Sequence, residues 1–191
     1  GGGVGTAALQ LCQWVGVTNV WSTASAGKAD IIRSYDAVAI DRHNENFVEI
    51  VRSQTNGRGV DHILDPIGGE HLKRSLSVLA QGGKLYTYGM SSAAPSSKRS
   101  LWKALKALRS RPRFDPMLMM SRNQGVFGVH MGTWNDEDVM QEQMQNILKG
   151  IKEGALTPII DSIYDAKDVA KAHQHIHDGK NIGKVLLKFV E

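Results

Sequence analysis

The five residues Gly1-Gly2-Gly3-Val4-Gly5 constrain the fold of this chain more than any other feature. Glycine allows the backbone to turn tightly and to approach a pyrophosphate without an intervening Cβ. The small residues that follow, from Thr6 to Ala8, suit a helix packed closely on a sheet, and the start of a helix offers unpaired N–H groups to an anion. The sequence therefore predicts a phosphate-binding turn. The alternative is an ordinary glycine turn or a tag.

A dinucleotide-binding fold has a strand directly before this turn, beside the switch-point crevice of its sheet. Here the chain starts at Gly1, and its first residue is not Met. We therefore expect the chain to start partway through the motif and to be one part of a longer enzyme.

The remainder of the chain alternates helical and strand patterns, which is typical of a parallel sheet with crossover helices. Helices are expected at 4–15, 28–34, 46–55, 71–79, 136–151 and 167–177. Strands are expected within 17–24 and at 37–40, 60–64, 84–88, 124–129, 159–164 and 184–190. Gly82-Gly83 is expected to end the fourth helix. These patterns predict an α/β fold with a doubly wound parallel sheet of the Rossmann type, lacking its first strand.

Composition and charge exclude several other classes. The only cysteine, Cys12, leaves no disulfide framework and no cysteine-based zinc site within this chain. No apolar run approaches the roughly 18 residues of a membrane span, and no signal peptide is visible. Seven basic and no acidic residues lie in 98–113, whereas acidic residues outnumber basic ones elsewhere. The basic charge is therefore local and does not indicate a general nucleic-acid-binding surface.

The basic segment 98–113 has an apolar side at helical spacing, formed by Leu101, Trp102, Leu105 and Leu108. A basic amphipathic helix of this kind can lie on an anionic membrane surface. The alternative is a solvated helix that covers the cofactor cleft.

A second cofactor signal follows the first expected strand. NAD-binding folds place Asp or Glu about twenty residues after the glycine turn, but this chain has Thr23-Ala24-Ser25 and then Lys28. Without a carboxylate at the strand tip, Ser25 and Lys28 could bind a 2′-phosphate, and charge-assisted bonds would favour NADP over NAD about ten- to a hundredfold. The alternative is a serine that caps a helix and a solvated lysine.

Two other enzyme signatures are weaker. His173 and His177 share a helix face, but zinc needs a third or fourth ligand, which favours a solvated helix end. Short-chain dehydrogenases need Tyr-x-x-x-Lys, and none of the four tyrosines is followed by lysine at that spacing.

Longer motifs carry a family resemblance. They are Gly2-Gly3-Val4-Gly5, Gly59-Val60-Asp61, Asp65-Pro66-Ile67-Gly68-Gly69, the run from Gly83 to Met90, the run from Gly128 to Gly132, and the stretches 158–162 and 181–187. With them the chain resembles the cofactor domain of the medium-chain dehydrogenase/reductase superfamily, in its zinc-independent quinone oxidoreductase branch. Within that branch it is most similar to the VAT-1 (vesicle amine transport protein 1) group.

The resemblance implies cofactor contacts for eleven residues. Gly3, Val4 and Gly5 would line the pyrophosphate and nicotinamide side; Ser25 and Lys28 would hold the 2′-phosphate; Gly89 and Met90 would lie against the cofactor; Phe127, Gly128 and Val129 would flank the nicotinamide; and Asn181 would close over it. Arg42 stands after Asp41, where relatives often carry Tyr. It could stack on adenine, reach the 2′-phosphate or be a surface residue.

The resemblance also implies the organisation and reaction of a whole enzyme. Residues 1–158 would be the Rossmann domain, and residues 159–191 would return to a GroES-like catalytic barrel that is absent from this chain. The enzyme would transfer hydride from NADPH to a quinone or other α,β-unsaturated carbonyl, as a cytoplasmic homodimer paired through the strand at 124–129. No catalytic residue is assigned, and this part alone is expected to be inactive. The alternative is an NADP-binding module, associated with membranes through 98–113, that reduces little or nothing.

Overall fold

The computed structural model describes residues 1–91 and 113–189 of the chain. The helices in these ranges are α1 (Gly3–Trp14), α2 (Ala29–Arg33), α3 (Phe47–Gln54), α4 (Gly69–Ser77), α5 (Pro116–Arg122), α6 (Glu137–Lys152) and α7 (Val169–His177). The strands are β1 (Trp21–Ala24), β2 (Val38–Asp41), β3 (Val60–Asp65), β4 (Leu79–Thr87), β5 (Gly125–Gly128), β6 (Ile160–Asp165) and β7 (Lys184–Lys188). Short 3₁₀ turns lie at Ala26–Lys28, Met131–Thr133 and Ala166–Asp168. The alternation of helices with parallel strands confirms the predicted α/β class.

These elements form two compact units. The first consists of Gly1–Phe47 and Asp136–Glu191 and contains the parallel pairs β1–β2 and β6–β7. The second, Val48–Asn135, contains the parallel sheet β3–β4–β5. Every strand pairing within the described ranges is parallel, as the alternating pattern predicted.

In the first unit, β1 and β2 run side by side with Ala24 opposite Asp41 at their ends. Parallel neighbours need a crossover connection, and α2 provides it by packing the fully buried Ile32 against Leu9 and Ala24. Because the two strands end at the same level, the residues that follow them emerge at one edge of the pair.

The other half of the first unit pairs β6 with β7 and connects them through α7. Gly2, directly before α1, forms an isolated parallel bridge with Gly183, directly before β7. The glycine turn therefore lies beside the loop that leads into the last strand.

The second unit has its core between α4 and its sheet, where Leu72, Leu79 and Leu85 are buried together. The expectation that Gly82-Gly83 ends the fourth helix is wrong, because α4 already ends at Ser77 and both glycines lie within β4. Burial of Leu79 draws the chain into the sheet early, and Gly82, with φ +77°, lies where the register between β3 and β4 shifts.

Candidate nucleotide-binding site

The glycine turn leaves the start of α1 open. Gly2 is the N-cap residue of this helix, and no described side chain caps it. The buried Thr6 folds its hydroxyl back toward the carbonyl oxygens of Gly2 and Gly3, at 3.2 and 3.3 Å. Apart from its chain neighbours and the backbone of its own helix, no described atom lies within 4 Å of the position that a Cβ on Gly5 would take. A helix start with no side-chain cap and no acidic residue in its first turn, together with this open space, fits an anion.

The loop that carries Asn181 is joined to this turn. Gly183 N–H donates to the Gly1 carbonyl oxygen at 3.2 Å, and Asn181 Nδ2 donates to the Gly183 carbonyl oxygen at 2.9 Å. Gly183 adopts φ +87°, and a Cβ there would lie 2.3 Å from the Ile159 carbonyl oxygen, so the position accepts only glycine. Two sequence-predicted parts of the site, the turn and Asn181, are thus neighbours.

Lys28 meets the same loop. Its Nζ donates to the Asn181 carbonyl oxygen at 2.5 Å, across 153 residues of sequence. Burial lowers the pKa of the Lys28 ammonium, the nearby Arg42 lowers it further, and Asp161 opposes both effects. The structure therefore brings Lys28, Asn181 and the glycine turn into one cluster.

Asp161 holds the other side of this loop and was not singled out from the sequence. Its Oδ1 accepts from Ile182 N–H at 2.7 Å, and its Oδ2 lies 2.7 Å from His175 Nε2 and accepts from the Ser162 hydroxyl at 2.9 Å. Burial acts to raise the pKa of Asp161, but the bonds from Ile182, His175 and Ser162 outweigh it and hold that pKa below its ordinary value.

His175 is the middle member of the histidine run that was interpreted as a solvated helix end. His173 and His177 are exposed, as that interpretation requires, whereas the His175 side chain is only 23% exposed. Across residues 1–91 and 113–189, no group of three or more His, Cys, Asp or Glu side chains could hold a metal ion.

A groove of about 200 Å³ opens where β1 and β2 end. Ser25 lies on its rim, and Arg42 N–H donates to the Ala24 carbonyl oxygen at 2.8 Å, so both residues stand at this edge. The Arg42 Nε donates to His43 Nε2 at 3.1 Å. The charged residues that line the groove are Asp30, Arg33, Asp41 and Glu45.

Two of these groove carboxylates are already engaged by neighbouring groups. Glu45 accepts from Asp41 N–H at 2.6 Å, while the Asp41 carboxylate accepts from His43 N–H and the Asn44 side chain. The sequence prediction looked for a carboxylate only at the tip of β1, and so it missed the carboxylates that approach from α2 and from the turn after β2.

The second unit has a pocket of about 580 Å³ at the carboxyl ends of β4 and β5. It is lined by Thr87, Tyr88, Gly89, Met90, Gly128, Val129, His130, Thr133 and Trp134. Four sequence-predicted residues, Gly89, Met90, Gly128 and Val129, are among them. The ring of Phe127 instead stacks on Tyr86, with centroids 5.5 Å apart. Tyr88, His130 and Trp134 were not predicted as site residues, although Tyr88 and His130 lie within the motifs that carry the resemblance.

Asp65 holds the turn that packs against Gly89, one of the residues that line this pocket. Its buried carboxylate accepts from Ile67 and Gly68 N–H at 2.8 and 2.9 Å and contacts His71 Nδ1 and the Ser75 hydroxyl at 3.0 and 2.8 Å. The turn fixed in this way touches Gly89, where a Cβ would lie 2.7 Å from the Pro66 carbonyl oxygen. Burial and the charge of Asp65 raise the pKa of Tyr88.

The segment 98–113, for which membrane contact was one hypothesis, lies outside the described residues up to residue 112. Among the helices that are described, none is both long and apolar enough to cross a membrane.

Comparison with known proteins identifies relatives of this chain. Residues 35–187 match the family described as zinc-binding dehydrogenase. The synaptic vesicle membrane protein VAT-1 homolog of Rattus norvegicus is 32% identical over 188 residues, which are 97% of this chain and 46% of that protein. The human homolog is 31% identical, with 97% of this chain and 48% of that protein covered. The chain thus spans about half the length of these relatives.

Solved structures show the same fold. The human synaptic vesicle membrane protein VAT-1 homolog-like protein aligns with all of this chain and 51% of its own, at TM-score 0.75 and 25% identity. A quinone oxidoreductase of Pseudomonas syringae aligns with 97% of this chain and 53% of its own, at TM-score 0.75 and 23% identity.

Proposed function

The chain belongs to the zinc-binding dehydrogenase family, and on that premise we propose that it is the nucleotide-binding part of an NADPH-dependent reductase of quinones or other α,β-unsaturated carbonyls. The observation that carries the proposal is the meeting of Lys28 and Asn181 beside the uncapped glycine turn. Residues from both ends of the sequence converge there on a place that suits an anion.

In this proposal the residues of the first unit bind the pyrophosphate and the 2′-phosphate of the nucleotide. The N–H groups of Gly3, Val4 and Gly5 bind the pyrophosphate, which the open space at Gly5 would admit. Lys28 and Ser25 bind a 2′-phosphate, with Arg42 available at the same edge as Ser25. Asp30, Asp41 and Glu45 in the groove oppose this binding by repulsion, so the preference for NADPH depends on Lys28 and Arg42 outweighing them.

The pocket of the second unit is the proposed place for the nicotinamide and the substrate. When bound, the nicotinamide supplies the hydride. Gly128 leaves open space where a side chain would otherwise project, and Tyr88, Met90 and Trp134 provide apolar and aromatic walls for a flat, conjugated carbonyl compound. The reaction class rests on similarity to the family and not on an identified catalytic group. We propose that it proceeds without zinc.

Titration of the 191-residue chain with NADPH and with NADH tests the cofactor proposal. We expect NADPH to bind about ten- to a hundredfold more tightly, while equal affinities would contradict the assignment of NADP. Subsequent addition of a quinone tests turnover in the longer protein that carries this part. Tight NADPH binding without oxidation by a panel of quinones and enones would favour a binding module over an enzyme.

A second candidate is an NADP-binding module that associates with membranes. It is favoured by the basic segment 98–113 and by the names of relatives that are called synaptic vesicle membrane proteins. Sedimentation with anionic and neutral liposomes tests it, because salt-sensitive binding to anionic vesicles alone is expected. We propose that this module is cytoplasmic and contacts the membrane surface peripherally through 98–113.

We also propose a homodimer formed through β5, which is the last strand of the three-stranded sheet in the second unit. Pairing with a second copy would extend that sheet. Sedimentation velocity distinguishes the dimer from a monomer.

A further inference from the structure

A single peptide group is held at both ends by charged side chains. The carbonyl oxygen of the Asn181–Ile182 peptide accepts from Lys28 Nζ at 2.5 Å, and the N–H of the same peptide donates to Asp161 Oδ1 at 2.7 Å. We name this arrangement of Lys28, Asp161 and the Asn181–Ile182 peptide the peptide clamp. Hydrogen bonds to charged groups are stronger than neutral ones, so the clamp fixes the plane of this peptide.

The carboxylate of the clamp is itself oriented by its surroundings. Its second oxygen contacts His175 Nε2 at 2.7 Å and Ser162 Oγ at 2.9 Å, and the Asp161 side chain is only 16% exposed. His175 comes from α7 and Asp161 from β6, so the packing of helix on strand determines the direction of the carboxylate.

We propose that Asp161, oriented by His175, is a positioning residue for the 2′-phosphate of NADPH and acts through the Asn181–Ile182 peptide on Lys28. The inference rests on the proposed function, because it takes Lys28 as the phosphate ligand. An ammonium group has three donors, so Lys28 can keep the Asn181 carbonyl and add a phosphate oxygen. The peptide that Asp161 holds then determines where the ammonium lies.

This role differs from general support of the fold in one measurable way. A residue that acts through Lys28 affects the binding of NADPH, which has the 2′-phosphate, more than the binding of NADH, which lacks it. Loss of general support would weaken the binding of both nucleotides to the same extent. The ratio of the two affinities therefore separates the two roles.

The test uses Asp161→Ala in the 191-residue chain, with Asp165→Ala as the matched control. Asp165 lies on the same strand, and its contact with Lys167 is an exposed ion pair outside the clamp. Dissociation constants for NADPH and NADH are measured by titration, and the exchange rate of the Ile182 amide is measured by NMR without nucleotide. We expect NADPH affinity to fall about tenfold, NADH affinity to change little and the Ile182 amide to exchange faster, with the control unchanged.

Equal losses of NADPH and NADH affinity, or unchanged affinities, would overturn the positioning role. If Asp161→Ala does not fold by circular dichroism, His175→Gln decides the question with the same readings and His177→Gln as its exposed control. In that variant we expect a smaller fall in NADPH affinity, about threefold. An unaltered chain that binds neither nucleotide would overturn the proposed function and the cofactor role of Asp161 together. The Ile182 amide would still show whether the clamp exists.

Discussion

Gln10 and Thr157 are joined by two hydrogen bonds across 147 residues of sequence. Gln10 Nε2 donates to the Thr157 carbonyl oxygen at 3.0 Å, and Thr157 N–H donates to Gln10 Oε1 at 2.6 Å. One side-chain amide thus satisfies both backbone groups of a residue that belongs to no helix or strand. The pair attaches the helix of the glycine turn to the segment that follows α6.

Replacement of the buried Gln10 by Leu should lower the free energy of unfolding by about 2 kcal/mol. The reason is that the N–H and the carbonyl group of Thr157 both lose their hydrogen-bond partner. Urea denaturation at neutral pH measures the change. Gln13→Leu, at an exposed position of the same helix, is the control and should change the free energy of unfolding by no more than about 0.5 kcal/mol. Similar losses in the two variants would show that the paired bonds contribute nothing specific.

Parts of this site could be predicted because they depend on local sequence. The glycine run predicted an open helix start, and the alternating pattern predicted that strands would end side by side in parallel. The resemblance implied only that Asn181 closes over the nicotinamide. The structure shows that Asn181 lies beside the glycine turn, through the Gly2–Gly183 bridge and the bond from Lys28. The cofactor roles of these residues stay predictions.

Other parts could not be predicted because distant elements create them. Within the run His173, His175 and His177, spacing alone cannot show that only the middle residue turns toward β6, where Asp161 lies. The carboxylates of Asp30, on α2, and Glu45, in the turn after β2, line the groove, whereas the prediction looked for a carboxylate only at the tip of β1. Both omissions concern contacts that depend on how the helices cross the strands.

Lys28→Met should reduce NADPH affinity about ten- to a hundredfold and leave NADH affinity nearly unchanged, because the variant keeps the apolar stem and removes the charge. Fluorescence titration with each nucleotide measures the two constants. Lys171→Met is the control, since Lys171 forms an exposed ion pair with Asp168. A parallel loss for NADPH and NADH would mean that Lys28 supports the loop and does not bind the 2′-phosphate.

The Asp65 carboxyl should make the free energy of unfolding depend on pH in the acid range. Burial acts to raise its pKa, but hydrogen bonds from His71, Gly68, Ser75 and Ile67 outweigh burial and lower the pKa from 3.8 to about 2. A depressed pKa in the folded state means that the stabilisation is present above about pH 4 and is lost as the pH falls toward 2. The pKa difference corresponds to about 2 kcal/mol.

Asp65→Asn should therefore be less stable than the unaltered chain at pH 7, and its stability should fall less steeply between pH 5 and pH 2. Urea denaturation at several pH values measures both effects. Asp61→Asn on the same strand removes a carboxylate from an exposed pair with Arg58 and should leave the pH dependence close to that of the unaltered chain. If Asp65→Asn retains the full pH dependence, other carboxylates are responsible for it.

Gly183→Ala should destabilise the first unit strongly, because two costs coincide at this position. The residue has φ +87°, and the new methyl group would lie 2.3 Å from the Ile159 carbonyl oxygen. Gly154→Ala is the matched comparison, since Gly154 has φ +74° but no described atom within 4 Å of the added Cβ. We expect a loss of about 1 kcal/mol at Gly154 from backbone strain alone and of about 3 kcal/mol or more at Gly183, measured by urea denaturation.

Because Gly183 donates to Gly1 beside the glycine turn, Gly183→Ala should also weaken NADPH binding while Gly154→Ala leaves it intact. Equal losses of stability in the two variants would show that the contact with Ile159 relaxes at no cost.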